Sequence, residues 1–228
     1  MSTEAVTRDQ AGDWRRGVRS LPGVAGICYS VAWIVSLMVG PSPNMGVTGA
    51  QVVAAYAGHD GTGTANFVLS EGVTAVFLAV VVILVAGAAR RAGARRAALA
   101  VAGFGLAAAA MSWAELVMGS WVIFGPVASG QAAAAGSLYG VLNRVDGAKM
   151  LVLAAMAVAL AVLALTSAVL PRWLAPLALL LAAALVVSGL GFVLLSAGLS
   201  NAVYVSGVLL LVVITATGVT LRTGAVPH

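Results

Sequence analysis

Glu71, Glu115, Asp146 and Lys149 stand among long apolar runs. Ionisable side chains are costly inside a membrane, and one found there is a functional candidate by default. Lys149 is the only Lys of the chain, and Arg144 is the only Arg outside its basic flanks. Both belong to Asn143-Arg144-Val145-Asp146-Gly147-Ala148-Lys149, at the mouth of the apolar run from Met150 to Leu170. At 100° per helical residue, Asn143, Asp146, Gly147 and Met150 share one face. Lys149, three residues beyond Asp146, is placed to pair with it, whereas Arg144 points away and must find Glu71, Glu115 or water. Glu71 has Thr74 and Ala75 on its side and Glu115 has Ser112 and Gly119, small neighbours that leave room for a ligand. Two carboxyls in unequal surroundings, one beside Arg144 or Lys149 and one among apolar groups, differ in how readily they hold a proton. That difference is what acid/base chemistry on a bound molecule requires. The catalytic candidates are therefore Glu71, Glu115 and Asp146. Asn143, Arg144, Lys149, Trp113 and Tyr139 are the candidates for binding.

The elements that must position them are membrane spans. The chain has 228 residues, 61% of them apolar and only 8% charged, and its mean hydropathy is +1.06. A soluble domain carries about a quarter charged residues. Runs of roughly 20 apolar residues, enough to cross about 30 Å of hydrocarbon, occur six times. They are approximately Leu21 to Val39, Asn66 to Ala89, Ala97 to Trp121, Leu138 to Leu170, Leu174 to Leu195 and Val203 to Leu221. A transmembrane barrel would show alternating ten-residue segments, which these continuous Ala/Leu/Val blocks lack. The expected fold class is all-α, a polytopic helical bundle, with residues 1–20 a polar tail and residues 21–228 one membrane domain.

Ten of the twelve basic residues, Arg8, Arg15, Arg16, Arg19, Arg90, Arg91, Arg95, Arg96, Arg172 and Arg222, fall on one side of this six-span arrangement. The positive-inside rule makes that side cytoplasmic, with both termini inside, in a bacterial cell membrane. The same residues produce the sequence pI near 10.1. Topology and anionic lipid account for them, so no nucleic-acid partner is expected. The single Cys28 excludes an internal disulfide and a Cys-based metal site. His59 and Asp60 offer too few ligands for a metal and read as loop, so neither metal nor cofactor is expected. Between the first two spans, Thr48 can cap a short helix to Ala57, lying at the outer surface with Tyr56 at the headgroups.

Depth joins the charges into one site. Glu71 is 18 residues before Ala89, and Glu115 is 18 after Ala97. Both then lie about 27 Å from the basic side, and Lys149, counted back from Leu170, about 31 Å. Phe67, Trp113, Trp121 and Tyr139 fall at the same level, either lining a pocket or forming an aromatic belt. A Schiff base on Lys149 with Asp146 as counter-ion is disfavoured by the rim position of Lys149.

Gly23-Val24-Ala25-Gly26-Ile27, Leu69-Ser70-Glu71-Gly72, Ala114-Glu115-Leu116-Val117 and Leu170-Pro171-Arg172-Trp173-Leu174-Ala175 resemble a broad group of six-span bacterial membrane proteins defined only as a domain of unknown function. The resemblance implies six spans and matches Glu71 and Glu115 to that group's acids. It does not extend to Asn143–Lys149. The expectation is a protein that binds a small lipophilic or amphipathic molecule at the outer end of spans two to four, with acid/base chemistry on a lipid or isoprenoid type of substrate as its enzymatic form. The alternative is a non-catalytic assembly or regulatory partner of another membrane protein, or a homo-oligomer, using an exposed Gly/Ala face. A transporter is disfavoured because the inner halves offer only hydroxyls such as Thr166, Ser167, Thr215 and Thr217, which can bond back to their own helices.

Overall fold

The computed structural model describes residues 20–43 and 45–221, so the expected tail up to residue 19 and the arginines at 8, 15, 16, 19 and 222 lie outside the described residues. The described residues form seven helices: α1 (Leu21–Val39), α2 (Gly49–Tyr56), α3 (Asp60–Arg91), α4 (Arg95–Val127), α5 (Ala132–Thr166), α6 (Leu174–Val193) and α7 (Ala197–Thr220). All but α2 are long and apolar enough to cross a membrane. The chain is a multi-pass membrane protein by the length and composition of its helices.

Local chemistry sets the ends. The Ser20 hydroxyl accepts the Gly23 amide at 3.4 Å and Pro22 sits in the first turn of α1, where a missing N–H costs nothing. Gly40-Pro41 stops it. In α2, Thr48 and Gln51 form a capping box. Helix α5 ends at Thr166, four residues short of the expected Leu170, because Ser167 turns extended. The Thr166 and Ser167 hydroxyls donate to the Val162 and Leu163 carbonyls at 2.7 and 2.8 Å, bonding back to the turn before them.

Successive long helices pack side by side, α1 on α3, α3 on α4, α4 on α5, α5 on α6 and α6 on α7, and α7 returns to α1 to close the ring. At the end bearing Arg90–Arg96 the ring is filled by side chains such as Val81, Val85, Val101, Met156, Leu160 and Leu181. A smaller core at the other end gathers Val52, Tyr56, Phe67, Ile123 and Tyr139. Leu99, Val117, Val158, Leu180 and Val212 are exposed on the outside of the bundle, as suits a surface whose solvent is hydrocarbon.

The connection between α1 and α3 differs from expectation. Tyr56 is buried rather than exposed at a headgroup surface, its ring 6.5 Å from that of Phe67. Helix α2 gets this close because Gly49 and Gly136 meet: a Cβ on Gly136 would lie 2.9 Å from the Gly49 Cα. Asp60, read as loop, begins α3. In the basic-side halves Thr166 and Ser167 bond back to their own helix as expected, but Thr215 reaches α1 instead, 2.7 Å from Ser30 Oγ and donating to the Gly26 carbonyl at 3.1 Å. The buried Thr217 hydroxyl has no hydrogen-bond partner among the described residues.

Candidate functional site

Each acid of the site is placed by a local feature of its helix. Glu71 lies in a π-helical stretch of α3, Val68–Val73. The wider turn holds an extra residue and so rotates the remainder of α3 relative to a regular helix, a device frequent at functional sites. The Thr74 hydroxyl donates to the Ser70 carbonyl within it. Glu115 shares the inward face of α4 with Ser112 and Gly119. A Cβ on Gly119 would meet the Phe67 ring at 2.5 Å, so the glycine lets α3 lie against α4 at this level. Helix α5 presents Asn143, Asp146 and Lys149.

The three helices bring three carboxylates onto one ammonium. Lys149 Nζ lies 2.7 Å from Glu71 Oε2, 2.5 Å from Glu115 Oε2 and 2.9 Å from Asp146 Oδ1. The three N–H donors of a lysine suit a compact point charge met from three sides. Glu115 is 2% exposed and Lys149 is 8% exposed, so the lysine is inside the bundle and not at a solvated rim. The shorter α5 explains the depth: Lys149 is 17 residues from Thr166, about 26 Å along the axis, within a turn or so of the two glutamates.

Beside the cluster is a cavity of about 840 Å³. Its wall includes Glu71, Glu115, Asn143, Asp146 and Lys149, and Tyr139 closes one side with its hydroxyl donating to the Pro43 carbonyl at 2.5 Å. Two candidates for binding fall elsewhere. Arg144 is exposed, opposite Asp146 on α5, and pairs with neither glutamate. Trp113 is 49% exposed and Trp121 61%, and both face away from the cavity because Ser112, Glu115 and Gly119 take the inward face of α4. Phe67, in contrast, lines it.

Helices outside the predicted region complete the wall. Tyr29, Trp33 and Ser36 reach in from α1, and Asn201, Tyr204 and Ser206 from α7. The α1 set sits at i, i+4 and i+7, a spacing that puts the three on one helical face without saying what that face meets. A second hollow of about 490 Å³ follows α5 near Thr166, Ser167 and Arg172, with no charge cluster beside it. Among the described residues no group of three or more His, Cys, Asp or Glu is placed to hold a metal. The point where the three carboxylates converge is taken by Lys149 Nζ.

Fold and site together define a six-span, all-α membrane protein with a buried network of charge. Comparison with protein families, with curated proteins and with solved structures found no match. Of the features implied by the resemblance to the six-span bacterial group, the six spans are present, and no family is identified.

Proposed function

We propose that the protein binds a small lipophilic or amphipathic molecule in the cavity between the two cores. The observation that carries this reading is a cavity of about 840 Å³ whose wall carries the charge cluster. Pockets for small molecules are mostly apolar with a few convergent polar groups, and this one pairs aromatic and aliphatic walls with one polar cluster. Should the occupant react, Glu71, Glu115 and Asp146 are the proton-handling groups within reach. The test is native mass spectrometry of protein released gently from detergent, comparing wild type with Glu71→Gln and Glu115→Gln. A discrete lipophilic molecule carried by wild type and lost from either variant is expected. Wild type that carries only bulk lipid would leave the network a structural one and favour a protein partner or a homo-oligomer.

The cavity lies at the end of the bundle away from Arg90, Arg91, Arg95, Arg96 and Arg172, and the positive-inside rule assigns that end to the outer side of a bacterial cell membrane. In a background with Cys28 replaced, Ser129→Cys is expected to react with an impermeant thiol reagent added to intact spheroplasts, and Ala94→Cys only after lysis. The reverse pattern would invert the orientation.

A further inference from the structure

Resting on that reading, we infer that the occupant of the cavity is a cationic amphiphile, with a protonated amine as its head group. The cluster sets three carboxylates against one ammonium. Lys149 engages one oxygen of each acid, and no donor among the described residues reaches the second oxygens. Glu115 shows this most sharply: it is 2% exposed, lines the cavity, and its Oε1 is buried with no hydrogen-bond partner. Glu71 and Asp146, with side chains 16% and 22% exposed, are the more open of the three acids.

No other base among the described residues supplies the missing charge. Arg144 is exposed and turned away, and the arginines of the α3–α4 and α5–α6 connections are at the far end of the bundle. A buried carboxylate without a compensating cation is strongly unfavourable and either takes up a proton or draws in a cation, whereas an anionic head group would add a like charge. A protonated amine brings both charge and the N–H donors that the wall lacks. Tyr29, Trp33, Phe67 and Tyr204 stand on the same cavity wall, and aromatic faces attract a cation further. The apolar remainder of the cavity accommodates a hydrocarbon body.

Binding of four single-chain probes to the purified protein in non-ionic detergent tests this: dodecylammonium, dodecyltrimethylammonium, dodecanol and dodecanoate. Dodecylammonium is expected to bind about tenfold or more tighter than dodecanol, with the trimethyl probe, which has charge but no N–H, in between. Glu71→Gln and Asp146→Asn, assayed separately so that one folding failure does not decide the matter, should each reduce the dodecylammonium preference severalfold. Equal binding of dodecanol or dodecanoate, or a cation preference unchanged in the variants, overturns the cationic head group and leaves the cavity reading standing. No binding by any probe, with no discrete molecule carried by wild type, removes both.

Discussion

Lys149→Met is expected to lower the stability of the detergent-solubilised protein by about 3–5 kcal/mol, the usual cost of removing one partner from a buried ion pair. The reason is the number of groups that depend on this side chain. Its ammonium ties α3, α4 and α5 together, within 2.9 Å of all three carboxylates. Without it, Glu71, Glu115 and Asp146 face one another across a low-dielectric space. For a chain of this length such a loss corresponds to a fall of roughly 10 °C in Tm. Combining Lys149→Met with Glu115→Gln should recover part of the loss, since Gln removes the most deeply buried of the stranded charges. The two effects should therefore be non-additive by about 1 kcal/mol or more. Thermal unfolding of the two single variants and the double variant supplies the cycle. A Met variant within about 0.5 kcal/mol of wild type, or strictly additive effects, would show that the ion pairs contribute nothing to the native state.

The six spans were legible because twenty-residue Ala/Leu/Val runs have few alternatives in water or in lipid, and α1 spans Leu21–Val39 as expected because Ser20 and Gly40-Pro41 punctuate it. Depth was legible in part: counting along the helices brought Glu71 and Glu115 to one level and Lys149 to about a turn beyond, and Lys149 touches both acids. Rotation was less so. Counting places a residue along an axis, but which face meets the ring depends on neighbours, so Arg144 and Trp113 were grouped with a site that they turn away from. The π-helical stretch at Val68–Val73 leaves no compositional mark, and it alters the register between Glu71 and the helix that precedes it. Tyr29 and Trp33 were missed because an aromatic in an apolar span looks the same whether it faces lipid, core or cavity. Thr215 was expected to be satisfied within its own helix, as an isolated span would have it, whereas the ring gives it Ser30 and Gly26 of α1.

Gly147→Ala is expected to destabilise the protein by about 1–3 kcal/mol, the range for forcing one extra carbon into a close-packed site. Gly140→Ala, on the same helix, should be neutral or stabilising by up to about 1 kcal/mol, since Ala is the better helix former. A Cβ at Gly147 would lie 2.7 Å from the Gly189 carbonyl oxygen and 2.8 Å from the Val193 amide nitrogen, whereas one at Gly140 would meet nothing within 4 Å. Backbone atoms of α6 cannot swing aside like a side chain, so the helices must separate. The contact is reciprocal: a Cβ at Gly189 would lie 2.9 Å from the Gly147 carbonyl oxygen. Gly147 also stands between Asp146 and Lys149, so a shift of α5 there moves both charges relative to Glu71 and Glu115. Gly147→Ala should therefore lose the molecule carried by wild type along with stability, and Gly140→Ala should keep both. Unfolding midpoints and native mass spectra of the two variants measure these together. A Gly147→Ala protein as stable and as fully loaded as Gly140→Ala would mean that the α5–α6 crossing does not set the geometry of the charged wall.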